Sequence, residues 1–313
     1  MPQNNSIIKL SVVLCTYNGA KYIKEQLDSI INQTYPVYEL LIFDDVSTDN
    51  TVELITEYAT HYSFIRVWVN ENNLGYTKNF EQALQAATGD AVSICDQDDV
   101  WIKDKLERMM HAWDTKHPLI YCNSYIFSGD VPLQPKEPVF RMFEGTDARK
   151  IFLANTISGH AIVCRKDFIN LVVPFSKDAM YDWWMGVVAA YNGGVQHYDK
   201  VLVYQRSHAE NSTVDILENY DEDDQKNIKK QRMIKQCRVF MTAPNIPPND
   251  KIFLLNFANL LEESLNVKFH KPLYRFMVKH RRLLFNFKKK KIVLFSHVKH
   301  SYKWATNHKP IMK

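Results

Sequence analysis

The chain has 313 residues, 46% of them hydrophobic and 24% charged, so it can bury a sizeable core and is not a disordered chain. It contains no run of about 18 uncharged apolar residues that would span a bilayer and no basic and apolar blocks of a secretory signal at its start, so we expect a cytosolic protein or one bound to a cytosolic surface. Charge is uneven: Ser264–Lys313 carries 14 Lys and Arg and no Asp or Glu, whereas the preceding residues carry 25 basic and 35 acidic side chains.

Strand and helix patterns alternate over the first hundred residues. Apolar runs predict four strands, at Ile7–Cys15, Glu39–Phe43, Phe64–Val69 and Ala91–Cys95, and apolar residues with helical spacing lie between them. This alternation predicts an α/β fold with a mostly parallel sheet flanked by helices. We therefore expect functional residues beyond the carboxyl ends of the strands.

The later part of the chain is increasingly helical. Residues 118–205 mix short strands with a helix at about Tyr181–Tyr191, and the pattern from about Glu218 is helical and polar. Two further helices are predicted near Asn249–Asn266 and Pro272–Phe287. We interpret Ser212–Ile246 as a boundary region and the rest as a small helical appendage.

Three acids, Asp96, Asp98 and Asp99, follow the fourth predicted strand. Carboxylates this close raise one another's pKa unless a cation neutralises them. The Asp-x-Asp spacing suits Mg²⁺ or Mn²⁺, hard cations that keep positions open for phosphate oxygens. The alternative is a solvated acidic loop that caps a following helix at Trp101–Trp113. A single Asp-x-Asp is common by chance, and the motif alone leaves both interpretations open.

A second acidic pair, Asp44 and Asp45, ends the neighbouring second strand. One of the following Ser47, Thr48 and Asp49 is expected to cap a helix, yet two acids ahead of that cap exceed what capping requires. Asp45 can accept the N3–H of a pyrimidine or a ribose hydroxyl. The chain has no GxGxxG after its first strand and no GxxxxGK[ST], which argues against a dinucleotide enzyme or a P-loop NTPase. Without a glycine cradle, a bound diphosphate would need a metal ion.

Further candidates lie in the middle region. Asp182, followed by Trp183 and Trp184, is either a helix cap with two core tryptophans or a sugar site in which the carboxylate takes a hydroxyl proton. His208 can bind metal or phosphate, although a lone loop histidine is more often merely exposed, and Arg206 can pair with a phosphate.

The five cysteines are odd in number and scattered, and no CxxC pair occurs. This pattern indicates neither a disulfide framework nor a structural zinc site. Cys15 and Cys95 each end an apolar run, so we expect both to be buried.

In order and spacing, these motifs resemble glycosyltransferase family 2, the inverting enzymes of the GT-A fold. The resemblance covers about Lys9 to Ser212. The string Asp96–Trp101 is similar to that of the branch that contains many bacterial rhamnosyltransferases of surface-polysaccharide assembly. The residues that carry it are Ser11–Gly19, Asp44–Asp49, Asn73–Gly75 with Asn79, Asp96–Trp101, Ser158–His160, Asp182–Trp184 and Tyr204–His208.

The resemblance implies a GT-A domain at residues 1–211, with a nucleotide-sugar half at about 1–117 and an acceptor half at 118–211, followed by a helical, basic region at 212–313. It also implies roles for single residues. Nucleotide binding falls to Thr16, Tyr17, Asn18, Asp45 and Asp96, the metal ion (Mn²⁺ or Mg²⁺) to Asp98 and His208, the general base to Asp182, and contacts with acceptor or diphosphate to Trp183, Trp184, His160 and Arg206.

The implied activity is metal-dependent transfer, with inversion, from a UDP- or dTDP-linked sugar, rhamnose among the candidates, to a saccharide or a lipid-linked saccharide. The alternative is a catalytically inactive subunit that binds nucleotide sugars. Two departures from the family pattern bear on the site: Val46 replaces the glycine of the common Asp-Gly-Ser, and the string from Tyr204 to His208 is one residue out of its usual spacing.

The basic tail has three interpretations. It is a solvated charged tail, a nucleic-acid-binding segment without a recognised motif, or an attachment to anionic lipid through Lys288–Lys291 and the neighbouring Phe and Leu side chains. We favour lipid attachment, which predicts a cytoplasmic protein bound peripherally to the inner face of the plasma membrane, and we expect no nucleic-acid partner.

Overall fold

The computed structural model describes residues 7–208, 222–289 and 293–307. They group into two compact units, each built from several segments. The first comprises the chain up to Pro138, Ile157–Phe175 and Val195–Arg206; the second comprises Val139–Thr156, Ser176–Gly194 and residues from Ser207 onward. The predicted boundary between residues 211 and 212 lies outside the described residues, and it stays a prediction, as does the division near residue 117.

The first unit contains a mixed sheet flanked by helices. The strands are β1 (Leu10–Thr16), β2 (Val37–Asp44), β3 (Ile65–Val69), β4 (Ala91–Cys95), β5 (Val100–Trp101), β6 (Leu119–Phe127), β7 (Ile162–Arg165) and β8 (Val195–Arg206). The helices are α1 (Ile23–Ile31), α2 (Thr51–His61), α3 (Tyr76–Ala86), α4 (Lys105–Ala112) and α5 (Lys166–Val172). A short 3-10 turn at Gly159–Ala161 precedes β7.

The strand order across the sheet is β3-β2-β1-β4-β7-β6-β8-β5. β1 pairs in parallel with both β2 and β4, and β2 pairs in parallel with β3, so the first four strands have the predicted parallel arrangement. Thr16 lies opposite Asp44, and Leu14 lies opposite Cys95. The carboxyl ends of β1, β2 and β4 therefore share one edge of the sheet, and the polar loops that follow them are neighbours.

Burial of the first unit follows the sequence pattern. Every residue of β1 and β4 is buried, as expected for parallel strands covered on both faces. α1 buries Ile23, Leu27 and Ile30, which recur at helical spacing, in the same apolar core. All five cysteines are free and buried, which confirms that they form no disulfide framework.

The second unit is helical among its described residues. Its helices are α6 (Tyr181–Tyr191), α7 (Glu222–Phe240), α8 (Pro248–Ser264), α9 (Lys271–Lys279), α10 (Arg281–Leu284) and α11 (Val293–Ala305). Aromatic rings form much of its interior: Phe152 packs on Phe240 with ring centroids 6.1 Å apart, and Phe253 packs on Phe276 at 5.1 Å. Among the described helices, none is long and apolar enough to cross a bilayer.

Two sequence predictions are corrected by these elements, and a third is confirmed. Trp101 is not helical: it pairs with Val203 in the short strand β5, and α4 begins only at Lys105. The helical pattern predicted from about Glu218 is confirmed by α7, a 19-residue helix that lies wholly within Ser212–Ile246. The single helix predicted at Pro272–Phe287 is two helices, α9 and α10, because the first ends with its cap at His280.

Candidate active site

The acidic loop after β4 combines half-exposed and buried carboxylates. Asp96 and Asp98 are partly exposed, whereas Asp99 is buried. Arg206, at the end of β8, fixes the loop from behind, because its backbone N–H donates to Asp99 Oδ1 at 3.3 Å and its Nε donates to the carbonyl oxygen of Asp98 at 3.2 Å. Two carboxylates are thus presented toward solvent at the carboxyl edge of the sheet.

Asp44 joins the ends of β1 and β2. Its buried carboxylate accepts hydrogen bonds from Thr16 Oγ1 at 2.8 Å and from both the backbone N–H and the hydroxyl of Ser47. The backbone N–H of Asn18 donates in turn to Ser47 Oγ at 2.8 Å. The predicted nucleotide-binding residues Thr16 and Asn18 therefore lie in one hydrogen-bonded junction, and their binding role stays a prediction.

Val46 replaces the glycine of the common Asp-Gly-Ser and has a backbone conformation that favours glycine. Its φ is +67°, in the left-handed region that a β-branched residue rarely occupies. The loop thus keeps the backbone turn without the glycine, at a strain cost of about 1–3 kcal/mol. The neighbouring hydrogen bonds of Asp44 and Ser47 are the contacts that hold this turn.

Asp45 is buried and holds the loop after β3. Its carboxylate accepts the backbone N–H groups of Leu74 and Gly75, each at 2.8 Å, and the side-chain amide of Asn70 at 2.8 Å. Asn73 donates to its backbone carbonyl at 3.0 Å. Its predicted contact with a nucleotide base stays a prediction, and the structure shows that Asp45 also stabilises the protein.

We predict that Asp45→Asn lowers the free energy of unfolding by about 2–3 kcal/mol, because an amide nitrogen would face donors that now bond a charged acceptor. Urea-induced unfolding measures the change. Glu71→Gln, an exposed acid in the same loop, is the matched control and should stay within about 0.5 kcal/mol of the parent. Equal stability of Asp45→Asn and the parent would show that these hydrogen bonds do not hold the loop.

Tyr17 connects the first loop to the acidic loop. Its backbone N–H donates to Gln97 Oε1 at 2.9 Å, and Gln97 Nε2 donates back to the carbonyl oxygen of Tyr17 at 3.0 Å. Its ring is left 49% exposed. An exposed ring at this edge is available to stack on a flat ligand, as predicted for the base of a nucleotide.

His160 lies behind the acidic loop, where it is buried. Its Nε2 is 2.6 Å from Ser124 Oγ, and its Nδ1 is 3.3 Å from Asp96 Oδ2 and 3.2 Å from Asp99 Oδ2. Burial acts to lower the pKa of His160, but the charges of Asp99 and Asp96 outweigh it and raise the pKa to about 9. Burial, together with Asp96 and Asp98, raises the pKa of Asp99, while His160 acts against that rise. His160 is predicted to contact acceptor or diphosphate; the structure shows it as an internal partner of two acids.

Lys105 is a buried charge that was not predicted from the sequence. It is fully buried on α4, its Nζ donates to the carbonyl oxygen of His160 at 3.0 Å, and it lies 3.2 Å from the centre of the Trp101 ring. Burial lowers its pKa to about 8. It adds a positive charge beneath the acidic loop. The only local feature of the sequence that indicated burial of Lys105 was its position four residues before the buried Met109, on the apolar face of the helix.

Arg206, predicted to contact diphosphate or acceptor, contacts several protein groups. It forms an ion pair with Glu25 and donates to the carbonyl oxygen of Gly129 at 3.1 Å. Its guanidinium also lies over the rings of Phe127 and Tyr22, 4.7 and 5.0 Å from their centres. These contacts support a role in holding the acidic loop, and the predicted phosphate contact stays a prediction.

The other predicted residues belong to the second unit. Asp182 is in the first turn of α6, where the cap is Met180, and its Oδ1 accepts the backbone N–H of Trp183 at 2.6 Å. Trp183 and Trp184 are buried, and Trp183 Nε1 donates to the carbonyl oxygen of Ile151. His208 is partly exposed. The roles of these four residues as base, acceptor contacts and metal ligand stay predictions.

A divalent cation matches the donor atoms of the acidic loop. One oxygen each of Asp96 and Asp99 and one ring nitrogen of His160 lie within 4.8 Å of one another. Asp99 Oδ2 is buried, and its contact among the described residues is the ion pair with His160 Nδ1 at 3.2 Å. Carboxylate oxygens are the ligands that Mg²⁺ and Mn²⁺ prefer. The predicted ligand Asp98 is not part of this cluster but is the next partly exposed acid of the same loop.

Comparison with known sequences assigns this region to a family. The model of Glycosyl transferase family 2 matches residues 11–172. An uncharacterized protein of Mycobacterium tuberculosis is 28% identical over 207 residues, which cover 64% of this chain and 59% of the relative. The dTDP-rhamnosyl transferase RfbG of Shigella flexneri is 34% identical over 123 residues, covering 38% of this chain and 40% of the relative. The chain therefore spans less than two thirds of the length of both relatives.

Comparison with solved structures identifies the fold. Residues 1–349 of TarS from S. aureus, in complex with UDP-GlcNAc, have a TM-score of 0.60 and 20% identity, covering 96% of this chain and 93% of that chain. The mannosyltransferase PcManGT from Pyrobaculum calidifontis, in complex with GDP-Man and Mn²⁺, has a TM-score of 0.54 and 19% identity, covering 82% and 70%. These similarities confirm the predicted GT-A type of fold.

Proposed function

Because the chain belongs to Glycosyl transferase family 2, we propose that it transfers a sugar from a nucleoside-diphosphate sugar to an acceptor hydroxyl, with inversion at the anomeric carbon. The observation that carries this proposal is the acidic loop after β4, whose half-exposed Asp96 and Asp98 adjoin the connected loops of β1 and β2. Such an edge of a parallel sheet is where α/β proteins bind nucleotides.

The donor is proposed to be UDP- or dTDP-linked. The exposed ring of Tyr17 would stack on the base, and Asp96 would lie near the ribose. A relative named as a dTDP-rhamnosyl transferase and a structure that contains UDP-GlcNAc support this class of donor and keep rhamnose among the candidate sugars.

The proposed mechanism uses one displacement. Asp182 removes the proton of the acceptor hydroxyl, and the resulting nucleophile attacks the anomeric carbon as the nucleoside diphosphate leaves from the opposite face. Asp96 and Asp98 would hold Mn²⁺ or Mg²⁺, with His208 as a further ligand. When bound, the cation supplies charge stabilisation for the departing diphosphate. His160, Lys105 and Arg206 keep the acidic loop in place.

The acceptor is proposed to be a saccharide or a lipid-linked saccharide of cell-surface polysaccharide synthesis, on the cytoplasmic side of the membrane. A relative named as a putative teichuronic acid biosynthesis glycosyltransferase supports this acceptor class. A second candidate function, an inactive subunit that binds nucleotide sugars, has the same donor site but no turnover.

A panel of nucleotide sugars separates the two functions. We expect a UDP- or dTDP-sugar at about 100 times its Kd, with Mn²⁺ present, to stabilise the protein by about 2.7 kcal/mol and to release diphosphate once an acceptor is supplied. Thermal shift and diphosphate release are the two measurements, and GDP-sugars are the control donors. Stabilisation without release on any acceptor would favour the inactive subunit, and neither effect with any donor would contradict donor binding.

A further inference from the structure

The outward face of α11 is apolar and basic. Leu294, Phe295 and Tyr302 are 59%, 70% and 55% exposed, and the exposed Lys299 and Lys303 lie between and beside them. Phe295, Lys299, Tyr302 and Lys303 are spaced by four, seven and eight residues from the first, so they share one side of the helix. A helix at the surface of a globular unit normally shows the opposite pattern, with its apolar stripe inward.

The inward face of α11 is polar and well anchored, which fixes this orientation. Buried His297 packs on Phe285 with ring centroids 5.2 Å apart, and Ser301 Oγ donates to the carbonyl oxygen of His297 at 2.9 Å. At the end of the helix, Asn307 donates to the carbonyl oxygen of Ser264 at 2.5 Å and accepts from Lys230 Nζ at 2.7 Å. Rotating the helix to hide its apolar side chains would break the contacts of His297 with Phe285 and of Asn307 with Ser264 and Lys230, whereas the bond of Ser301 lies within the helix.

The chain segment that contains α11 is strongly basic, and the nearby acid Glu263 is paired with His270 at 3.3 Å. The described residues from Ser264 to Asn307 include ten Lys and Arg and no Asp or Glu. Burial lowers the pKa of His297, and Lys288 and Arg281 lower it further. A second copy of the chain would bring the same charge to this face, and like charges oppose such pairing. An anionic partner with an apolar interior would pair with the positive charge and also bury the exposed Leu and Phe side chains.

We propose that α11 is an interfacial helix that binds the surface of an anionic lipid bilayer, with Leu294, Phe295 and Tyr302 entering the headgroup region and the lysines contacting lipid phosphates. Lipid attachment was predicted through Lys288–Lys291 and the neighbouring Phe and Leu, of which residues 290–292 lie outside the described residues. Leu294 and Phe295 belong to that predicted segment, and the exposed Lys299, Tyr302 and Lys303 extend the contact along one face of α11. This inference does not depend on sugar transfer and is tested without catalysis.

Vesicle sedimentation of the full chain tests the proposal. At low salt we expect the protein to pellet with vesicles of 70% phosphatidylcholine and 30% phosphatidylglycerol but not with phosphatidylcholine alone. Lys299→Gln with Lys303→Gln should lower the partition coefficient about 30-fold. Leu294→Ser with Phe295→Ser should lower it about 10- to 100-fold. Ile252→Ser, which removes an equally exposed side chain from α8, should change it less than twofold.

The serine variants also separate lipid from nucleic acid, whose phosphates need no exposed Leu or Phe. Vesicle binding that Leu294→Ser with Phe295→Ser leaves unchanged would overturn the proposal, and so would binding to duplex DNA with no binding to the anionic vesicles. Fluorescence then places the contact on the helix. The five native cysteines are buried, so Phe295→Cys offers one accessible thiol for an environment-sensitive dye. Its emission should rise and shift to the blue with the anionic vesicles. The same dye on Ile252→Cys should not respond, and an equal response at both positions would also overturn it.

Discussion

Replacing Asp182 by Asn is expected to lower the turnover of sugar transfer by about 10²–10⁴-fold, the usual effect of losing a general base. Donor affinity should be unchanged, because the base acts on the acceptor hydroxyl. The amide oxygen of Asn can still accept the backbone N–H that Asp182 Oδ1 now accepts from Trp183, so the first turn of α6 is retained. Diphosphate release at saturating donor measures the turnover, and calorimetric titration measures donor binding.

The matched control is Asp178→Asn, the same change four residues earlier. Asp178 is 40% exposed and forms an ion pair with Lys235 at 3.3 Å, and a surface pair of this kind contributes about 0–1 kcal/mol. Its variant should turn over within about twofold of the parent. If Asp182→Asn also turns over like the parent, the proton is removed by another group and the assignment of the base is wrong. A variant that has lost donor binding as well would instead indicate a structural role for Asp182.

The arrangement of the first four strands was predictable because it follows from local patterns of apolar and polar residues. β4 runs from Ala91 to Cys95, as the apolar run predicted, because a polar residue precedes it and an acid follows it. The helix at Tyr181–Tyr191 also has its predicted bounds. Since parallel strands end at one edge, the neighbouring positions of the loops after Thr16, Asp44 and Cys95 followed from the same reasoning.

Pairings between distant segments were not predictable in this way. β7 lies between β4 and β6 and is antiparallel to both, and β5 pairs only two residues with β8. Trp101 was therefore assigned to a helix whose apolar spacing it continues. Two residues that pair across 102 positions leave no periodic signal in either segment.

The buried contacts of the candidate site could not be predicted for a similar reason, since they also join distant segments. His160, predicted to touch ligand, is buried against Asp96 and Asp99, and Lys105 was not singled out because a lysine in an amphipathic helix usually faces solvent. Neither burial depends on the local sequence. Both arise because β6, the turn before β7 and α4 meet behind the acidic loop. The acids were predicted from the sequence, whereas the positioning roles of His160, Arg206 and Lys105 were not.

Removal of the cation is expected to have the second large effect. Chelation, or Asp98→Asn, should lower metal-supported diphosphate release by about 10³-fold, because a divalent ion supplies several kcal/mol of charge stabilisation to the departing diphosphate. Asp98 is partly exposed, so the substitution should leave the free energy of unfolding within about 0.5 kcal/mol of the parent. Asp130→Asn, an exposed acid of the same unit, is the control and should retain both metal binding and turnover.

Asp99→Asn identifies which acids bind the ion. Asp99 is buried beside His160 at 3.2 Å, so its loss leaves a buried positive group poorly paired and should destabilise the protein by about 3 kcal/mol. Direct Mn²⁺ titration of both variants separates the two possible sites. If Asp98→Asn loses Mn²⁺ binding and Asp99→Asn keeps it, the ion is bound by the half-exposed acids, and Asp99 with His160 is an internal support for Asp96. The reverse result would place the ion on the cluster of Asp96, Asp99 and His160. If neither variant nor chelation changes the turnover, a metal-dependent reaction is contradicted.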